Sequence, residues 1–374
     1  MPIQTVANRH RVLGGNHASS DCSRSVSFSC ISRRMLLIAV ASLAATTVAF
    51  APAAHAERKN VKISLDWIVQ STHAPFFIAK EKGYFKDAGV TVDALDPGKG
   101  ATNVAISVAS GAYDFGWVDM PSMINFNSKN PNNQLIAVYI SFDASPLAVI
   151  ANAAAGIKTP ADLNGKKMAG GTGGAGHDTI GILLKAAKAE NVKIDWVPVQ
   201  PQLYGAMIKR GEVAGTIAFL NSNVPALLAV GMKPSEITVL KYSDYGADMY
   251  GLTLVVTKKF LKENPETVRG VVKALNHGTK DTIADPAGAL AFMKKLDPMM
   301  KMDIEKIRLD LALELTDTKH VKLYGLSTVD PKKLQFTIDA IADAYDLKPR
   351  PKSEDVYTAA YLPPVAERQL AASK

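Results

Sequence analysis

Cysteine is almost missing from this chain. Its 374 residues include two, Cys22 and Cys30, and both lie upstream of Glu57. From Glu57 onward there is no thiol, which excludes disulfides, thiolate metal sites and cysteine nucleophiles and suits an oxidising compartment. Charge of one sign is scarce too. Five of the 43 Lys and Arg and one of the 35 Asp and Glu precede Glu57, leaving a net charge of +4 from Glu57 to the end. No block of Lys or Arg interrupts that mild balance, so no nucleic acid partner is expected.

Long apolar stretches are also rare, and the one that stands out lies near the start. MLLIAVASLAATTVAFA at 35–51 carries no charge, with Arg33 and Arg34 before it and Ala54-His55-Ala56 after it. Charge, short apolar core and small-x-small exit are the order of a cleaved export signal, and the core is at the short end of what spans a bilayer. Ser32-Arg33-Arg34-Met35-Leu36-Leu37 also has the arginine pair of a twin-arginine signal. No Cys follows the core, which disfavours a lipid anchor. Residues 1–56 are read as a signal peptide with an upstream extension, outside the fold.

The mature chain alternates between strand and helix. VKISLDW (61–67), VTVDAL (90–95), DFGWVDM (114–120), QLIAVYISF (134–142) and LAVIAN (147–152) read as strands of a first sheet, separated by helical stretches. The rhythm restarts at TPADLNGKKMAGG (159–171), and continues through VKIDWVPV (192–199), GTIAFL (215–220) and ITVLKY (237–242). A further strand returns in MYGLTLVVTKKFL (249–261). Such βαβ alternation implies mainly parallel sheets covered on both faces. After residue 262 helices dominate. Val268, Val271, Val272 and Leu275 recur at the spacing of one buried helix face, Asp285-Pro286 opens another helix, and 329–347 forms a third.

The sharpest motif is Gly171-Thr172-Gly173-Gly174-Ala175-Gly176, a G-x-G-x-x-G between a strand and a helix. A dinucleotide reading fails on context. The acid at the right distance, Asp195, is followed by Trp196-Val197-Pro198-Val199 and so sits inside a strand, and the segment is too short for a full cofactor domain. What survives is close backbone approach and free N–H groups at a helix start, suited to a polar or anionic ligand group. Trp67 and Trp117, placed at strand ends, either stack on a flat ligand or anchor the core. Asp119, Ser122 and Asn125 supply hydrogen-bonding groups beside Trp117. Asn221 caps the helix after GTIAFL or reaches the ligand, and His73 and His177 lie near helix starts facing a cleft. Catalytic signals are poor. His73, His177, His277 and His320 are not at metal-ligand spacing, and no G-x-S-x-G elbow occurs, so neither a metal, a cofactor nor a reaction is expected.

Ser64-Leu65-Asp66-Trp67, His73, Ala79, Gly83-Tyr84-Phe85 and Gly89 form a string that resembles the thiamine-pyrimidine and alkanesulfonate/nitrate/taurine group of periplasmic binding proteins, most of all its pyrimidine-precursor branch. Ala109-Ser110-Gly111, Asp114-Phe115-Gly116, Pro160 to Lys166 and Asp285-Pro286 extend the likeness over about 61–290. The resemblance implies a type II periplasmic binding protein fold: two α/β lobes joined by two crossover strands, with ligand held between them. It assigns 57–155 and 250–374 to lobe 1 and 156–249 to lobe 2. It implies Trp67 as a stacking residue, the 171–177 loop as a polar contact, and an ABC transporter permease with its ATPase as partner; with the export signal, a monomer in the periplasm is expected. Two departures stand out. Ile68-Val69-Gln70-Ser71-Thr72 replaces the asparagine-rich stretch typical between DW and His, and the cysteine cluster of the fungal pyrimidine synthases is absent.

Overall fold

Val61 and Ile63 are fully buried while Asn60 and Lys62 beside them are exposed, so the first strand covers one face before it enters the core. A computed structural model describes residues 59–171 and 174–370. The segment expected to be an export signal and two members of the glycine loop, Thr172 and Gly173, lie outside the described residues.

Two five-stranded sheets organise the rest. The first has the order β2 (Thr91–Asp96), β1 (Asn60–Ser64), β3 (Phe115–Asp119), β10 (Leu252–Thr257) and β4 (Leu135–Ile140). The second has β7 (Asp195–Val197), β6 (Lys167–Ala169), β8 (Gly215–Phe219), β5 (Leu147–Asn152) and β9 (Ile237–Lys241). The two plans coincide. Each lobe's first strand lies between its second and third, and the strand arriving from the other lobe runs antiparallel between the third and fourth. The chain therefore crosses twice, between β4 and β5 and again between β9 and β10, as the type II periplasmic binding protein fold requires.

The expectation that LAVIAN belongs to the first sheet, with lobe 1 running to 155, is corrected by its pairing. Its ladder is with β8 and β9 in the second sheet. The strand is buried on both faces, so its composition held no information about which sheet it joins.

Helices cover both sheets: α1 (Ala74–Glu81), α2 (Ala101–Ala109), α3 (Met120–Lys129), α4 (Ala175–Ala186), α5 (Tyr204–Arg210), α6 (Leu220–Ala229), α7 (Pro265–Ala284), α8 (Pro286–Leu296), α9 (Met302–Thr316) and α10 (Pro331–Ala344). α7 buries Val268, Val271, Val272 and Leu275, the face its spacing predicts. α9 has no counterpart in the sequence reading. It packs Ala312 and Leu315 into the core under the first sheet and Leu311 against the apolar cluster of the second lobe. It thus bridges the lobes.

Candidate functional site

The site begins where β1 ends. The backbone N–H groups of Gly98 and Gly100 donate to the carbonyls of Trp67 (3.1 Å) and Asp66 (2.9 Å), folding the 97–100 loop across residues 66 and 67. A Cβ at Gly98 would stand 2.0 Å from the Leu65 carbonyl oxygen, so this approach needs glycine. Asp66 and Trp67 are thereby fixed on the wall of a cavity of about 250 Å³ between the lobes.

A buried histidine orients Asp66. His73 is fully buried; its Nδ1 accepts from the Gln70 backbone N–H at 3.0 Å and its Nε2 meets Asp66 Oδ1 at 2.7 Å. An accepting Nδ1 leaves the ring proton on Nε2, where it donates to the carboxylate. Both ring nitrogens are occupied, so His73 offers no free base. It does not line the cavity, and the expectation of a direct ligand contact gives way to a role behind Asp66.

The opposite wall comes from the second lobe. Gly170, Gly171, Gly174 and Gly176 line it, and a Cβ at Gly176 would lie 1.7 Å from the Ile217 carbonyl oxygen. Glycine there lets α4 start directly against β8. His177, in the first turn of α4, lines the cavity with its ring 5.1 Å from that of Trp196. Thr216 to Phe219 at the end of β8, Tyr204 on α5, and Ser222 and Asn223 on α6 complete the wall. Polar contacts cross from lobe to lobe at the margins. Ser222 donates through Oγ to Gln70 Oε1 at 3.1 Å, and Thr102 through Oγ1 to Asp178 Oδ2 at 3.0 Å.

The one cavity-lining arginine or lysine among the described residues is Arg308, on α9. It is 6% exposed. Its Nε donates to Glu305 Oε1 at 3.1 Å, and its Nη1 to the carbonyls of Ser222 (2.8 Å) and Asn221 (3.3 Å). Burial lowers the guanidinium pKa from its ordinary value, and the Glu305 carboxylate opposes that change. Glu305 is held in turn by the Ser71 backbone N–H, which donates to Oε2 at 2.8 Å.

Among the residues expected at the site, Trp67, Gly171, Gly174 and His177 line the cavity. Thr172 and Gly173 lie outside the described residues. Trp117 does not belong to it. The ring is 2% exposed, meets Phe76 and Phe142 edge-on at 5.4 Å each, and donates its N–H to Ser141 Oγ, which makes it a core anchor. Asp119 is likewise buried, and its Oδ2 accepts from the Ser122 backbone N–H to cap α3. Loss of solvent pushes its carboxyl up to about 6. Asn221 neither caps α6 nor lines the cavity with its side chain; its carbonyl holds Arg308. Ser122 and Asn125 are buried beside Asp119. The sequence reading missed Asp66 and Gln70, which lie within the LDW…H string, and Arg308, which no motif marked. Among the described residues no cluster of three His, Cys, Asp or Glu side chains is placed to hold a metal ion.

A formylaminopyrimidine-binding protein of Halalkalibacterium halodurans is 25% identical over 235 residues, covering 62% of this chain and 69% of that protein. A 4-amino-5-hydroxymethyl-2-methylpyrimidine phosphate synthase of Aspergillus parasiticus is 25% identical over 250 residues, 64% of this chain and 72% of that enzyme. Among solved structures, the alkanesulfonate-binding protein of Xanthomonas axonopodis pv. citri bound to MOPS superposes with a TM-score of 0.61 at 14% identity, over 81% of this chain and all of that one. That likeness is one of fold. The family model described as NMT1/THI5 like matches residues 70–289, from the turn behind Asp66 through the glycine loop to the start of α8, and the chain belongs to that family.

Proposed function

We propose that the chain is the solute-binding component of an ABC importer, and that it holds a planar, uncharged or weakly cationic nitrogen heterocycle of the aminopyrimidine type between its lobes. The observation that carries this is the charge pattern of the cavity. Asp66 presents a carboxylate, Arg308 is already matched by Glu305, and no lysine lines the wall among the described residues. A sulfonate or nitrate would face the Asp66 carboxylate with a single cation that Glu305, behind it, already offsets, an arrangement that desolvation makes costly. A flat ring with an amino group beside an acceptor nitrogen instead fits an acid, an arginine and the Trp67 side chain. The formylaminopyrimidine-binding relative supports the same chemistry.

Binding rather than synthesis is favoured because both nitrogens of His73 are engaged and the chain from Glu57 has no cysteine. We place the mature protein in the periplasm as a monomer, exported by the signal before Glu57 and served by a permease with its ATPase. Intact-mass analysis of exported protein should give Glu57 as the first residue; retention of 35–56 would refute the cleavage.

Thermal shift and calorimetry test the ligand. At 100 times its dissociation constant a ligand adds about 2.7 kcal/mol to stability. 4-Amino-5-hydroxymethyl-2-methylpyrimidine and its formylamino derivative should raise Tm, and taurine, alkanesulfonates and nitrate should not. The reverse pattern would overturn the heterocycle reading. Mass spectrometry of recovered ligand should show it unchanged; product growing with time would make the protein an enzyme.

A further inference from the structure

α9 is an unusual element to find at the cavity. Seven of its fifteen positions, Ile304, Glu305, Arg308, Leu309, Ala312, Leu315 and Thr316, form a buried stripe, and Glu305 and Arg308 within it carry opposite charges. Burying an ion pair is costly unless further hydrogen bonds satisfy it. Here they do, and the partners come from different lobes. Glu305 accepts from the Ser71 N–H, and its backbone carbonyl accepts from Ser71 Oγ at 2.8 Å, which ties α9 to the turn after β1. Arg308 reaches the other way, to the carbonyls of Asn221 and Ser222 on α6. Nη2 is the remaining guanidinium nitrogen, and it has no protein hydrogen-bond partner among the described residues.

We infer that α9 is a strap that fastens the second lobe to the first through Arg308, and that Arg308 Nη2 donates to an acceptor on the bound solute. The inference rests on the solute-binding reading for its second half alone. A helix fixed to one lobe makes a clasp of any side chain that reaches the other. An arginine makes a selective one, because its planar fork grips two carbonyls with one nitrogen while offering another to the ligand. Lysine at this position keeps the charge and loses the fork.

The charge balance defines what Nη2 accepts as a partner. Glu305 offsets the guanidinium at 3.1 Å, so a neutral acceptor, a ring nitrogen or a carbonyl, completes the arginine's hydrogen bonds without adding an unpaired buried charge. Asp66 lines the same cavity and supplies the complementary acceptor for a ligand donor. A solute with donor and acceptor on one edge closes both, and holds the strap in place while it does.

Two measurements separate the halves. The first needs no ligand: small-angle scattering of the ligand-free mature protein, wild type against Arg308→Lys and Arg308→Ala. The strap predicts a larger radius of gyration in both variants, with far-ultraviolet circular dichroism unchanged. Radii equal to wild type overturn the strap whatever the ligand is. Should Arg308→Ala fail to fold, Arg308→Lys, which retains charge and length, carries the test alone. The second is calorimetry with 4-amino-5-hydroxymethyl-2-methylpyrimidine. Arg308→Lys should weaken binding at least tenfold, and should weaken the analogue that lacks the ring-nitrogen acceptor much less. Equal losses for both, or no loss, remove Nη2 from the ligand. Absence of binding by wild type would refute the heterocycle and leave the scattering result standing.

Discussion

Asp119 shows how far a single side chain can depart from its appearance in sequence. Beside Trp117 and ahead of a helix it reads as a ligand group, yet it is buried and caps α3. Only one of its oxygens is used; Oδ1 has no partner within the described residues. Burial, with a smaller contribution from the Asp178 carboxylate, raises its folded pKa to about 6. A carboxyl whose folded pKa lies above its unfolded value stabilises the protein fully below the unfolded pKa, and that contribution is lost as pH rises through about 6. Asp119→Asn keeps an acceptor for the Ser122 N–H and carries no charge. It should match wild type at pH 4 and exceed it at pH 8 by ~1–3 kcal/mol in urea unfolding, since each tenfold difference in proton affinity between the folded and unfolded chain corresponds to about 1.36 kcal/mol. Equal stability at pH 8 would mean that the charge is accommodated. Trp67 gives the contrasting case, a half-buried aromatic on the cavity wall. Trp67→Ala should weaken the cognate solute more than tenfold with the fold intact, since a stacked aromatic contributes about 1–3 kcal/mol. Calorimetry decides it, and unchanged affinity would return the ring to the scaffold.

Whole elements were legible where their burial follows one period. β1 and α7 fall close to where alternation and the i, i+3, i+4, i+7 spacing put them. β5 is recognisable as a strand but not as a member of its sheet, because a run buried on both faces says nothing about its neighbours. α9 escapes for the opposite reason. Ile304, Ile307, Leu309, Leu311, Leu313 and Leu315 nearly alternate, which mimics a strand, while the face it buries includes Glu305, Arg308 and Thr316. Polar side chains on the inner face erased the helical stripe, and Arg308 among them reaches the cavity. The glycine loop, expected as a ligand approach, lines the cavity with Gly171, Gly174 and Gly176, and packing fixes it. Gly176 sits where α4 meets β8, and a methyl group there collides with the Ile217 carbonyl. Gly176→Ala should therefore displace the start of α4, costing about 1–3 kcal/mol of stability by overpacking and at least tenfold in solute affinity. Gly171 has open space around a built Cβ, so Gly171→Ala should leave stability within about 0.5 kcal/mol of wild type. Equal Tm values for the two variants would show that the contact at Gly176 relaxes freely.

At the scale of the molecule, each lobe borrows its antiparallel strand from the far side of a crossing, so the lobes share covalent connections at one edge, apolar contacts that include Leu311 of α9, and polar contacts around the cavity. Gln70 with Ser222, Thr102 with Asp178 and Arg308 with Asn221 and Ser222 all span the gap. Most of these are single hydrogen bonds, each contributing only about 0.5–1.5 kcal/mol net. A solute that touches both walls would shift any equilibrium between an open and a closed form by its extra affinity for the closed one. The chain from Glu57 has no thiol, which makes the motion measurable. Lys99 and Leu203 are exposed and flank the cavity from the first and second lobes, and neither side chain is part of its lining. Lys99→Cys with Leu203→Cys, labelled with a donor and an acceptor dye, should report two distances without solute and one, the shorter, at saturation. The midpoint of that change should agree with the calorimetric dissociation constant. A single distance that solute leaves unmoved would mean a rigid cavity filled without closure, and recognition by the importer would then have to rest on the ligand rather than on the shape of the protein.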